Sequence, residues 1–373
     1  MQRSHTWSDE YLNQLRATPD EEADACVRVI LDSGRVEQVN ALMRALTRND
    51  AVVPEALPPA VARYFEQTAA LPAWADPELI LAGERLFCRY GLQMLQALLY
   101  RSLPECYAGA DGAQVLHRSR RITDLTHQRV METLQFVIDV MSRGGLSPSG
   151  RGIRSAQRVR LLHASIRAHL LAQGRWDMSL GTPINQEDTV ATLATFSSLV
   201  IDSLARLGAE LSDDERRAYT HCWNVVGHFM GLADETLLHD HADGMALMAA
   251  VRRRHHRRSE AGVALTAALL EFANGLVPGE TFDGFNATLL RYLCGDEVAD
   301  LLDVPPSDWT RVFVRQYRRW VDLKDDVQDL GWLSAKIGEI MGAALIRGLI
   351  GCPRAGARPG FDIPASLREN WTP

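Results

Sequence analysis

Hydrophobic patterning in this chain of 373 residues is overwhelmingly helical, and that limits the fold more than any other feature. In LTHQRVMETLQFVIDVMS, residues 125–142, Val130, Leu134, Val137, Ile138 and Met141 recur at the spacing of one helix face. GTPINQEDTVATLATFSSLVIDSLARLG opens with turn residues and an N-cap candidate at Asn185. It then runs as one helix to Gly208, a good C′ residue. LSDDERRAYTHCW places Ser212 three residues before Glu215, the capping-box spacing. Alternation of period two is scarce, so an all-α fold follows: a single large helical domain. Residues 76–350 form its body, with an N-terminal helical extension over 1–75 and a tail over 351–373 as decoration. No internal repeat emerges. RGGLSPSGRGIRS, residues 143–155, reads as a mobile surface loop.

Composition excludes several classes. With 46% hydrophobic and 23% charged residues, the chain can bury a sizeable core. A formal net charge of −7 argues against a nucleic-acid binder that relies on a global basic field. The most apolar stretch, AGVALTAALLEFANGLV, is broken by Glu271 and Asn274, so no membrane span is expected. The N-terminal residues lack the apolar core of a secretory signal. The cysteines at 26, 88, 106, 222, 294 and 352 are scattered, without a CxxC pair. A cytoplasmic protein with free thiols is the expectation.

One residue departs from the pattern. RVRLLHASIRAHL, residues 158–170, looks like a surface helix whose apolar face carries Val159, His163, Ile166 and Leu170, with Leu162 beside them. A histidine there is either a core side chain bonded to a carbonyl or a ligand for a metal. Arg160 and Arg167, at i−3 and i+4, disfavour the imidazolium. They are either solvated arginines or partners for anionic groups. On the helix before it, Arg129, Glu132 and Thr133 sit at i, i+3 and i+4. They form either an ordinary surface pair or a polar cluster at the stripe's edge.

Three blocks, LLYRSLPECYAGADGAQVLHRSRRITDLTHQRVMETLQFV, RVRLLHASIRAHL and GTPINQEDTVATLATFSSLVIDSLARLGAELS, resemble the latex clearing protein family, which also contains MpaB-type oxygenases. The resemblance spans roughly residues 80–350. It implies non-covalent haem b on one histidine of a globin-like helical body, with an Arg-x-x-Lys-Thr segment on the distal face. That threonine stands thirty residues before the histidine, and here 163 − 133 = 30. The resemblance therefore implies His163 as the iron ligand, and the charges of Arg160 and Arg167 beside it are then placed to pair with haem propionates. Arg129 and Thr133 become the distal polar pair. Glu132 stands where rubber-cleaving relatives carry lysine, and would pair with Arg129, act as a base, or face solvent. The implied activity is a haem-dependent oxygenase taking O2 and a small apolar, isoprenoid-like substrate, with an electron donor where the reaction needs one.

Two other constellations compete. HCWNVVGHFMGLADETLLHDHAD offers His221, His228, His239, Asp240 and Asp243 as ligands of a non-haem divalent metal in an HD-type hydrolase, or as a polar loop; His228 could equally line a haem pocket. VRRRHHRRSE concentrates Arg252, Arg253, Arg254, His255, His256, Arg257 and Arg258, as a solvated helix end or a site for an anionic partner. A protein that holds haem without turnover is a third reading.

Overall fold

The computed structural model describes residues 7–118, 126–174, 176–276, 284–306 and Ile363. Among them there are sixteen α-helices and no strand. The N-terminal four are α1 (Asp9–Ala17), α2 (Glu21–Asp32), α3 (Val36–Ala45) and α4 (Pro59–Gln67). A long helix α5 (Pro77–Ala97) passes through a π-helical turn, Leu98–Ser102, into α6 (Leu103–Ala108) and α7 (Ala110–Arg118). Helices α8 (Thr126–Met141) and α9 (Gly152–Ala172) follow, then α10 (Gln186–Phe196), α11 (Ser198–Arg206) and α12 (Asp213–Phe229). The last four described are α13 (His241–His255), α14 (Glu260–Leu276), α15 (Phe285–Cys294) and α16 (Asp296–Leu301). No helix among the described residues is long and apolar enough to cross a membrane.

Local signals place several ends. The Asn185 side chain accepts from the Asp188 amide at 2.9 Å and starts α10. Ser212 and Glu215 exchange both bonds of a capping box at the start of α12. Gly208 closes α11 with φ 88°, a conformation that side-chain-bearing residues rarely adopt. The segment expected as one helix from Asn185 to Gly208 is nevertheless two. Ser197 departs to φ −107° and ψ −78° at the junction, and its hydroxyl donates to the Leu193 carbonyl at 2.7 Å. Serine back-bonding of this kind bends helices.

The glycine-rich connection between α8 and α9 is pinned rather than free. Asn49 Nδ2 donates to the carbonyls of Gly145 and Ser147, at 2.9 and 2.6 Å. Its Oδ1 accepts the amides of Ile153 and Arg154, at 3.0 and 3.2 Å. Glu84 accepts from the Gly144 amide at 2.9 Å. The glycines are needed for close approach: a Cβ on Gly150 would lie 2.1 Å from the Gly144 carbonyl oxygen.

The helix of residues 158–170 is not a surface helix. Within α9, Arg154, Ser155, Gln157, Arg160, Ser165 and Arg167 are all buried together with the apolar residues. Each has partners on another element or on its own backbone. Arg154 donates to the carbonyls of Phe65 and Ala51, at 2.8 and 3.0 Å. Ser155 donates to Asp139 of α8 at 2.7 Å, and the Ser165 hydroxyl to the Leu162 carbonyl. The N-terminal helices supply much of this sheath: Leu161 and Ala164 belong to one apolar cluster with Val27, Ile30, Val61 and Phe65. Residues 7–75 are thus packed into the body. Ile363 joins the same cluster, and its backbone exchanges two hydrogen bonds with Asn40, at 2.7 and 3.1 Å. The rest of the 351–373 tail, and the 307–350 part of the expected body, lie outside the described residues.

Asn49→Ala removes four hydrogen bonds from buried groups that fix the start of α9. At about 1 kcal/mol net per bond, part of it recovered by water, the expected loss is about 2–4 kcal/mol. Urea denaturation measures it, and a loss under ~1 kcal/mol would show that the connection holds itself.

Candidate functional site

Helices α8 and α9 leave the pinned connection side by side and bound one end of an internal cavity of about 340 Å³. Val159, His163 and Ile166 of α9 line it, as the shared helical face requires. Arg129, Val130, Thr133 and Phe136 line it from α8. The remaining walls come from α6, α7, α10, α12, α13 and α14 and are mostly apolar, with Trp223, Val226, Phe196 and Met248 among them.

Among the described residues no hydrogen-bond partner satisfies His163 as a neighbour would a core histidine. Burial, with Arg167 and Arg129 behind it, pushes its imidazole down from 6.5 to about 4, against the opposing charge of Asp20. The ring is therefore neutral at physiological pH. Its exposed part faces the cavity. A neutral imidazole without a partner, set in apolar walls, is the donor set that a haem iron requires. These residues fit haem b.

The neighbouring charges are arranged differently from the expectation. Arg160 donates to both oxygens of Asp20, at 2.6 and 2.8 Å, and to Glu22 at 2.8 Å. Arg167 donates to Asp24 at 2.8 Å and to the Ile184 carbonyl at 2.6 Å. Neither arginine lines the cavity. Both sit on the flanks of α9 turned toward α2, so the propionate role does not match where they point. Among the described residues, Arg129 is the arginine of the cavity wall.

Thr133 Oγ1 donates to the Arg129 carbonyl at 2.9 Å, which commits its proton and leaves its lone pairs as acceptors. Glu132 is buried but absent from the cavity lining, and it accepts from Gln128 Nε2 at 2.7 Å. One residue along a helix is a rotation of about 100°, which carries Glu132 off the wall that Thr133 occupies. A base in the pocket and a solvent-facing carboxylate are both set aside by this placement.

The rival metal ligands are not brought together. His221 Nε2 accepts the Asp76 amide at 2.9 Å, and His228 Nδ1 pairs with Asp234 at 2.7 Å; the Trp74 ring lies against both imidazoles. Asp240 caps α13 and carries His239 beside it, while Asp243 accepts from Trp7 Nε1 at 2.8 Å. Among the described residues no group of three or more His, Cys, Asp or Glu side chains converges to hold an ion. His228 does not line the cavity either.

The basic run is partly solvated, with Arg253, Arg257 and Arg258 exposed, and its cations are paired with carboxylates of the chain itself. Arg252 clasps Glu105, Arg253 pairs with Asp9, and Arg254 donates to Glu187 at 3.0 Å. His255 bridges Asp111 and Glu187, Arg257 pairs with Asp111, and Arg258 with Asp303. Glu187, Asp188 and His255 line the cavity; His255 stands out in sequence only as part of the basic run, and no sequence signal singles out Glu187 and Asp188, which read as the acidic first turn of α10.

Residues 87–323 match the family model described as "ER-bound oxygenase mpaB/B'/Rubber oxygenase, catalytic domain". Over 293 residues the chain is 28% identical to a rubber oxygenase of Streptomyces sp. (strain K30), covering 76% of this chain and 70% of that protein. A solved structure of latex clearing protein in the closed state superposes with a TM-score of 0.76 at 25% identity, over 89% of this chain and 91% of that one. Arg129, Thr133 and His163 all fall inside the matched span. The chain belongs to the mpaB and rubber oxygenase catalytic-domain family.

Proposed function

We propose that this protein is a haem b-dependent oxygenase acting on a carbon–carbon double bond of an apolar, isoprenoid-type substrate. The observation that carries the reading is the neutral His163 imidazole, without a hydrogen-bond partner among the described residues, facing a chiefly apolar cavity beside Arg129 and Thr133. Bound there, haem b would supply the iron chemistry that engages O2. His163 would hold the metal as a neutral donor, kept deprotonated by burial and by the Arg167 and Arg129 charges. Arg129 would place a fixed positive charge and N–H donors where negative charge develops on oxygen, in a site shielded from water. Thr133, with its proton committed to the helix, would orient a donor, not act as one. The apolar walls would exclude water and take up hydrocarbon by burial. Adding both oxygen atoms across a double bond yields two carbonyl ends and consumes no external electrons, so an electron donor is needed only for hydroxylation.

A visible spectrum of the purified protein, followed by oxygen uptake with squalene or polyisoprene, tests the reading. A Soret band with substrate-dependent uptake is expected. His163→Ala should lose the band, or at least its axial coordination, while keeping the far-UV helical signature; an unchanged Soret band would remove His163 as the ligand. Arg129→Ala should retain haem and slow turnover about ten- to a hundredfold, the effect of one lost bond to a charged group. Thr133→Ala should act in the same direction.

Because Glu132 lies off the cavity wall, the resting protein should bind cyanide, azide or imidazole readily. Glu132→Gln should leave ligand response and turnover within about twofold of the parent, the ordinary range for a change outside a site. A larger change in either would mean that Glu132 reaches the pocket.

A further inference from the structure

We infer that Tyr107 is a specificity-determining residue of the cavity: its hydroxyl, together with Arg129, takes the carbonyl oxygen of an oxygenated isoprenoid. The inference rests on the isoprenoid reading of the cavity and narrows it, since the wall then prefers a ketone or aldehyde to a plain hydrocarbon. Helix α6 presents the residue. Leu103, Cys106 and Tyr107, at i, i+3 and i+4, line the cavity from one face of that helix. The π-helical turn Leu98–Ser102 stands directly before it, and turns of this kind recur at functional sites. The Tyr107 ring packs in one apolar cluster with Val130 of α8 and Leu265 of α14, which line the same cavity.

The hydroxyl at the end of this ring is uncommitted. Tyr107 is only 7% exposed, yet among the described residues its oxygen has no hydrogen-bond partner. A buried tyrosine hydroxyl ordinarily finds one. Here the ring is held by apolar neighbours and the residue borders the cavity, so the partner must come from what the cavity contains.

The other polar hydrogens of the wall are already spent. Thr133, Thr189, Thr192 and Thr195 each donate to a backbone carbonyl three or four residues back, at 2.9, 2.8, 2.7 and 2.8 Å. The Cys106 thiol lies 3.6 Å from Thr195 Oγ1, whose own proton points elsewhere, so the thiol is the donor of that contact. Both nitrogens of His255 are taken by carboxylates, at 2.8 and 2.9 Å. Trp223 Nε1 has no partner, but it is sealed among protein atoms and out of a ligand's reach. Besides His163, Tyr107 and Arg129 are the side-chain donors left to the cavity among the described residues.

Their chemistry selects the ligand. Burial pushes the Tyr107 phenol up to about 12, with the Arg129 charge opposing the rise, so the hydroxyl keeps its proton at physiological pH. Arg129 offers N–H donors and no acceptor. A carbonyl oxygen has two lone pairs and no proton, and so accepts from both side chains. A hydrocarbon leaves the two donors without a partner in a space it has emptied of water. Cleavage of a double bond by the reaction proposed above creates carbonyl ends, so the same pair of donors holds a product of that chemistry.

Calorimetric titration of the full-length protein as purified tests this by binding alone, with geranylacetone, an isoprenoid ketone, against β-farnesene, a hydrocarbon of similar length. The ketone should bind about five- to tenfold more tightly, the effect of one or two hydrogen bonds. Tyr107→Phe removes one oxygen and keeps the ring. It should weaken the ketone by about three- to tenfold and leave β-farnesene unchanged. Without ligand, the same variant should keep or raise the thermal midpoint, because the hydroxyl bonds nothing in the protein. A midpoint lower by more than about 2 °C would reveal a partner within the protein and overturn the inference. Equal preference for the ketone in parent and variant overturns it too, and so does the lack of any preference in the parent; in both cases the isoprenoid reading stands. If neither compound binds, that reading falls and the inference with it.

Discussion

The ion pairs between α9 and α2 are the constraint on which the site depends. Helix α9 carries Arg160 and Arg167 on flanks that the fold buries, and a buried unpaired guanidinium costs several kcal/mol. Asp20, Glu22 and Asp24 meet them from the start of α2, with the Tyr64 ring packed under Arg160. These contacts fix the rotation of α9 about its axis. With its charged flanks turned to α2, the remaining face, with Val159, His163 and Ile166, has only the cavity to look into. The aim of the imidazole is therefore set by residues that never touch the site.

The same arrangement tunes the histidine. Arg167 is neutralised structurally by Asp24, yet it still stands close enough, with Arg129, to disfavour a proton on His163. A cation bonded to its own counter-ion on one side still biases a low-dielectric pocket on the other, since screening there is weak. His163 is thus held as a base without a proton, the state that binds metal. His255 shows the opposite case. Two carboxylates within 3 Å keep it charged, although it lines the same cavity.

Much of this was legible in the residues and some was not. Asn185, Ser212 and Gly208 announce their helix ends because capping is a local bond between residues a few positions apart. His163 announces itself because a polar residue interrupts an apolar stripe. Arg160 and Arg167 mislead for the converse reason. Their partners lie about 140 residues away, so a single helix shows only cations at solvent-like positions. The run around His255 misleads in the same way, its carboxylates coming from α1, α6, α7 and α10. Glu132 is a matter of angle: motif spacing puts it beside Thr133 in sequence, and helical rotation takes it off the wall.

The contact between Asn40 and Ile363 joins positions 323 residues apart and belongs to the apolar cluster that sheaths α9. Trp7 reaches Asp243, and Arg16 reaches Glu187, over comparable separations. Such closures carry a loop entropy that is paid before the contact rewards it, and they slow folding. During synthesis, the N-terminal helices emerge long before the chain that completes their packing exists. Until Ile363 has been synthesised, the buried Asn40 side chain lacks the two backbone partners that it meets in the folded protein.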